Sequence, residues 1–219
     1  VATSQALDAT DPYRAYAQAP RPLGENAVRP LIEKTGRQQA GAAQPAAYVD
    51  NQLCLGCHQE QARQWQHSHH AQAMATATAA TVRGDFNDAV FKHQGVTSRF
   101  FKKGDKFFVH TDGPDGKMAD FEISYTFGVE PLQQYLIALP GGRLQPLQIA
   151  WDTRAGRWFH LLPNEKAPAG DVLHWTGRYQ TANTMCIACH TTGFEKRYDA
   201  ASDSFASTWK EPNVSCQSC

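Results

Sequence analysis

The chain of 219 residues balances 21 Lys and Arg against 21 Asp and Glu, and 42% of its residues are hydrophobic. This suffices for one large domain or two small ones, and the even charge balance lacks the basic footprint of a nucleic-acid binder. No apolar run reaches the roughly eighteen residues that a membrane-spanning helix needs, so no transmembrane segment is expected.

Residues 1–48 are rich in Ala, Gln, Pro and Arg with few large apolar side chains, and read as an extended N-terminal arm. The opening VATSQALDAT has neither a basic n-region nor an apolar h-region. From residue 54, CLGCHQEQARQWQHSHHAQAMATATAA holds many helix formers and no Pro, which predicts a helix that breaks near its His cluster. Between Phe91 and Phe127, aromatic and β-branched runs separated by KKGDK and DGPDGK predict a β-meander. EPLQQYLIAL predicts a short helix, and LQPLQIAWDTRAGRWFHLLP a hairpin turning at DTRAG. TGRYQTANTMCIACHTTG predicts a second helix, and FEKRYDAASDSFASTW a last hairpin. The expected fold class is α+β: helices and loops packed around their cofactors, with an inserted antiparallel β-meander. The expected domains are the arm, 1–48, and a second unit, 49–219, whose β-rich insert covers about 86–160.

All six cysteines fall into three Cys-x-x-Cys pairs: Cys54 with Cys57, Cys186 with Cys189, and Cys216 with Cys219. His58 and His190 directly follow the first two pairs. Cys-x-x-Cys-His is the attachment sequence of c-type haem, in which the thiols bond the vinyl groups and the adjacent His binds iron. A zinc site of Cys186, Cys189, Cys216 and Cys219 is a rival, but it leaves the first pair and both histidines without a role. A thioredoxin-like redox pair would occur once, at a helix start, and disulfides between such near neighbours would be strained. About three haem c groups are therefore expected. Covalent attachment occurs outside the cytoplasm, so the chain is read as a mature exported protein, periplasmic or extracellular, without its signal.

Six-coordinate haem needs a second axial ligand. His70, His93, His160 and His174 are the candidates taken from the seven remaining histidines. In an unbroken helix His70 would lie about 18 Å along the axis from His58, so it would cap a different haem. His67 and His69 read as solvated neighbours, and His110 as a strand-end residue. Met74, Met118 and Met185 are poorer candidates, because thioether ligation raises the potential.

The stretches CLGCHQEQARQWQHSHHAQAM, FNDAVFKHQGVTSRFF, LHWTGRYQTANTMCIACHTTG and NVSCQSC, with the aromatic segments between them, resemble the N-terminal cytochrome region of bacterial multihaem c-type cytochromes that continue into tetratricopeptide repeats. More distantly the chain is similar to the tetrahaem electron-transfer cytochromes of nitrifying bacteria. The resemblance covers roughly residues 49–219. It implies that Cys216 and Cys219 continue into a third proximal His, and it supports His70, His93, His160 and His174 as ligand positions. The expected function is electron transfer through closely spaced, mostly bis-His haems to redox partner proteins. Two alternatives stay open: a reductase or oxidase with one open haem, and a filament subunit that self-assembles through the N-terminal arm.

Overall fold

The computed structural model describes residues 48–218. The expected arm, apart from Tyr48, lies outside the described residues, as do its expected role in self-assembly and Cys219. Two short helices, α1 (Asn51–Cys57) and α2 (Gln59–Gln66), lead into β1 (Met74–Thr76). Strands β2 (Ala89–His93), β3 (Val96–Lys103), β4 (Lys106–Asp112), β5 (Met118–Phe127), β6 (Leu132–Leu139), β7 (Arg143–Pro146), β8 (Ile149–Asp152) and β9 (Arg157–His160) follow. The one-turn helices α3 (Ala182–Met185) and α4 (Ile187–His190) precede a small hairpin, β10 (Tyr198–Asp199) and β11 (Ser204–Phe205).

Every strand pairing is antiparallel, and the main sheet runs β2-β3-β4-β5-β6-β8-β9, with β1 added to β5 and β7 to β6. Its end strands β2 and β9 are not hydrogen-bonded neighbours, but their rings meet inside: His93 stacks on His160 at 4.0 Å. Phe100 of β3 likewise stacks on Trp158 of β9 at 3.6 Å. The sheet is a nearly closed barrel. The expected α+β architecture of haem-bearing helices around an inserted meander is thus corrected: the molecule is mostly antiparallel β, and its helices are short attachments to a barrel.

The meander and the hairpin at DTRAG form as the turn chemistry predicts. Gly104 takes a φ of 58° in the tight β3–β4 turn, where any Cβ would be strained. The Asp152 carboxylate accepts the backbone N–H groups of Arg154 and Ala155 at 3.0 and 2.8 Å, closing the β8–β9 turn. Two segments depart from expectation. Leu132–Leu139, expected within a helix, is β6, and both of its faces are covered: Tyr135 and Ile137 point into the barrel while Leu136 joins a second cluster outside. The long helix expected from residue 54 breaks at His58, whose φ of −105° and ψ of 52° end α1 and start α2.

Phe86 sits at the centre of the barrel core, edge-on to Phe100, Phe107, Tyr135 and Trp158 at 5.1–5.6 Å. Ring pairs of this geometry add to the stability that burial supplies. The second cluster, Met74, Phe127, Leu136, Leu144, Ala182 and Ile187, lies on the other side of the sheet wall and receives the Cys186 segment. Among the described residues no helix is long and apolar enough to cross a membrane.

Candidate haem-binding sites

In each Cys-x-x-Cys segment a helical turn sets the side chains. Positions i, i+3 and i+4 share one helix face. In α1 the His58 N–H donates to the Cys54 carbonyl at 3.0 Å, bringing Cys54, Cys57 and His58 onto one side. Asp50 caps α1 by accepting the Gln52 N–H at 2.8 Å. In the second segment the Cys189 N–H donates to the Cys186 carbonyl at 3.1 Å, and α4 ends on His190. Cys54, Cys57, Cys186 and Cys189 are all thiols; Cys57 and Cys189 are exposed, and Cys54 and Cys186 half-buried. Burial, with help from Cys189, pushes the Cys186 thiol above its ordinary pKa. Cys216 starts a single 3₁₀ turn, Cys216–Ser218.

Hydrogen bonds tie these three segments to one another. The Trp65 indole donates to the Val214 carbonyl at 2.8 Å, and the Val214 N–H donates to the His70 carbonyl at 3.1 Å. The Val49 N–H donates to Gln217 at 2.7 Å. The first Cys segment therefore rests on the third. Thr192 links the second to the third: its hydroxyl donates to the Asn213 carbonyl at 2.7 Å, accepts the Ser215 N–H at 2.9 Å and meets the Ser218 hydroxyl at 2.7 Å. Buried Asn183 anchors α3 to the barrel, accepting the Leu144 N–H at 2.8 Å and donating to the Gly142 carbonyl at 3.2 Å.

His190 is the best-defined site residue. Its Nδ1 donates to the Ala73 carbonyl at 2.8 Å, and its ring lies on Phe127 at 4.3 Å. That bond fixes the proton on Nδ1 and leaves Nε2 with its lone pair, the protonation state a metal-bound imidazole uses. His58 and His70 are exposed, beside the junction of the first and third segments.

His93, His160 and His174 are gathered elsewhere, in the wall of a cavity of about 910 Å³ at the barrel mouth. Strand alternation points His93 inward with Ala89 and Phe91, and His160 inward with Trp158. The His93 Nε2 is buried without a hydrogen-bond partner among the described residues. His160 accepts the Leu162 N–H on Nδ1 at 3.1 Å, and burial, then the nearby His93, lowers its pKa. His174 has both nitrogens engaged, Nδ1 with the Thr176 hydroxyl at 2.7 Å and Nε2 with Asp112 at 3.1 Å. Burial opposes ionisation of Asp112, but hydrogen bonding to His174, its charge and the Thr111 hydroxyl together hold that carboxyl below the usual range. None of Cys54, Cys57, Cys186, Cys189, Cys216, His58 or His190 lines this cavity. Met74 is buried in the outer cluster, whereas Met118 and Met185 are exposed.

Residues 53–113 and 150–219 match the family described as cytochrome c554 and c-prime, more than half of the chain. The chain belongs to the cytochrome c554 and c-prime family. The match begins next to Cys54 and spans all three Cys pairs, while the interval 114–149, which holds β5, β6 and β7, lies outside it. None of the curated proteins matches the chain. Among solved structures it is similar to the outer cell wall cytochrome OcwA at 16% identity with a TM-score of 0.46, over 78% of this chain and 30% of that one. The chain thus spans less than a third of that protein's length.

Membership of this cytochrome family implies covalently bound haem c. The residues present fit it. Thiols stand one helical turn apart in two segments, an adjacent imidazole has its proton fixed on Nδ1, and His93 Nε2 is a buried nitrogen without a partner among the described residues. Sequence reasoning missed the residues that hold these candidate segments in place: the Ala73 carbonyl, Thr192, Asn183 and Trp65. The Thr-Thr directly after His190 was the one available signal.

Proposed function

We propose that the chain is an exported, multihaem electron-transfer cytochrome that binds about three haem c groups and exchanges electrons with redox partner proteins. The observation that carries this reading is the His190 Nδ1–Ala73 hydrogen bond, which leaves the Nε2 of the imidazole directly after Cys186 and Cys189 unprotonated. Bound haem would supply the Fe(III)/Fe(II) couple. Cys54 and Cys57, Cys186 and Cys189, and Cys216 and Cys219 would form the thioether bonds, with His58 and His190 as proximal ligands. Its carbonyl partner would make His190 a stronger donor and so lower the potential of an iron that His190 held.

His70 would act as a distal ligand at the junction of the first and third segments. His93, His160 and His174 would serve iron that approaches through the barrel mouth, and His174 would exchange its Asp112 bond for that role. Tying the three Cys segments together through Thr192, Val214 and Trp65 supports close spacing of the groups they carry.

Pyridine haemochrome and intact mass on protein matured with its haem test the count. Three haems with low-spin spectra and no response to cyanide are expected. A cyanide-sensitive high-spin band in intact protein would overturn bis-His ligation, and a single haem would overturn the multihaem reading.

A further inference from the structure

A cleft of about 540 Å³ lies against the segment that leads into Cys186, walled by Thr181 and Thr184. Three cations enter it: Arg143 from the start of β7, Arg178 from the turn Arg178–Gln180, and Lys196 from the loop after α4. Against them stands one lining carboxylate, Asp203, so three positive charges face one negative charge. Asp203 is already committed: Arg143 pairs with it at 2.6 Å and the Tyr198 hydroxyl donates to it at 2.7 Å. Among the described residues, neither Arg178 nor Lys196 stands within ion-pair distance of a carboxylate, although the Arg178 charge, after the Tyr198 and Arg143 hydrogen bonds, helps hold the Asp203 carboxyl below the usual range.

A second observation concerns Thr181. It occupies the N-cap position of α3, yet its side chain makes no capping bond. The residue is 1% exposed and its hydroxyl has no hydrogen-bond partner among the described residues. A buried hydroxyl left over costs stability unless an acceptor completes it. A cationic cleft with a spare donor in its wall is chemically a receptor for an anionic acceptor, because guanidinium and ammonium groups bind carboxylate and phosphate oxygens strongly.

We infer that this cleft is an anion site for a carboxylate or other small oxyanion, with Arg178 and Lys196 as its charged ligands and the Thr181 hydroxyl as a further donor. Two sources offer that chemistry. One is a propionate of the haem bonded to Cys186 and Cys189, a source that rests on the haem reading above. The other is a free oxyanion from solution, which does not depend on that reading.

The test uses haem-loaded protein at low ionic strength, where surface charge is least screened, and the double variant R178Q/K196Q, which removes two cations whose loss breaks no ion pair. Inorganic phosphate is titrated by calorimetry, and each haem is titrated for its midpoint potential. With a free-anion site, wild type binds phosphate and the double variant binds it at least tenfold more weakly. With a propionate site, wild type ignores phosphate, and the double variant lowers the midpoint of one haem and leaves the others in place. Absence of phosphate binding together with unchanged midpoints overturns the anion site. Haem counting on the same samples separates the two readings: no haem at Cys186 and Cys189 defeats the haem reading, while phosphate binding still decides the cleft. T181V gives a finer check, since a site that uses the hydroxyl loses several-fold in phosphate affinity or shifts the same midpoint.

Discussion

The barrel and the Cys-bearing segments beside it are held by different forces. The barrel buries Phe86, Phe100, Phe107, Tyr135 and Trp158 against one another, closed by ladder hydrogen bonds and a ring seam. The Cys segments have one-turn or two-turn helices, exposed thiols at Cys57 and Cys189, and exposed apolar neighbours such as Leu53 at 69% and Met185 at 52%. Ala182 and Ile187 pack the second segment into the outer cluster, and beyond that the order of these segments comes from single hydrogen bonds reaching across the chain, from Trp65, Thr192 and Asn183. A region with its own hydrophobic core folds on its own account. A region whose apolar side chains face outward offers a surface that a flat apolar group could cover.

This contrast is open to direct attack. The largest effect is expected from C186S/C189S, which removes one haem from the haemochrome count and the intact mass while the far-UV strand signal persists; loss of that signal would show that the barrel depends on its cofactor. F86A takes out the ring that touches four others and should destabilise the barrel by about 3–5 kcal/mol, read as a lowered denaturation midpoint with the haem count unchanged. T192V strips the hub between the second and third segments and should cost roughly 1–3 kcal/mol. Its signature is faster proteolysis near residues 211–218, and an unchanged digestion pattern would deny Thr192 that role.

The smallest effect concerns pH. His160 has a folded pKa below its ordinary 6.5 because of burial and, next, His93. On acidification the unfolded chain takes up this proton before the folded one. The contribution is thus fully present above pH 6.5 and is lost as pH falls through the lowered folded value. Measured on the haem-free chain, where no iron can hold His160, H160Q should flatten that part of the stability–pH curve, and a variant curve parallel to wild type would show that the seam is indifferent to protonation.

Much of this was legible in the chain. Two Cys-x-x-Cys-His motifs declare their chemistry through fixed spacing, and KKGDK, DGPDGK and DTRAG mark turns because few residues adopt the required backbone. The Leu132–Leu139 strand was not legible as one. Covered on both faces, it shows no alternation, and a continuous run of Leu, Gln and Ile looks helical in isolation. The same blindness explains the fold class: cofactor motifs draw attention to helices, while the core is made by Phe86 and Trp158, 72 positions apart in the numbering. Nor does any local pattern announce that Ala73 lies against His190, or that Thr192 meets Ser218. Contacts between distant backbone groups have no periodic signature.

The Ala73 carbonyl accepts two donors, the Gly128 N–H at 2.9 Å and His190 Nδ1 at 2.8 Å. One oxygen is therefore shared between the end of a barrel strand and the imidazole beside the second Cys pair. Donor strength at one lone pair competes with donor strength at the other, so the electron density reaching Nε2 depends on how firmly the strand end is held. Mechanical slack at Gly128 would be read at the far side of the ring as a change in basicity, which makes the barrel rim, already stacked on His190 through Phe127, a tuning element for that imidazole.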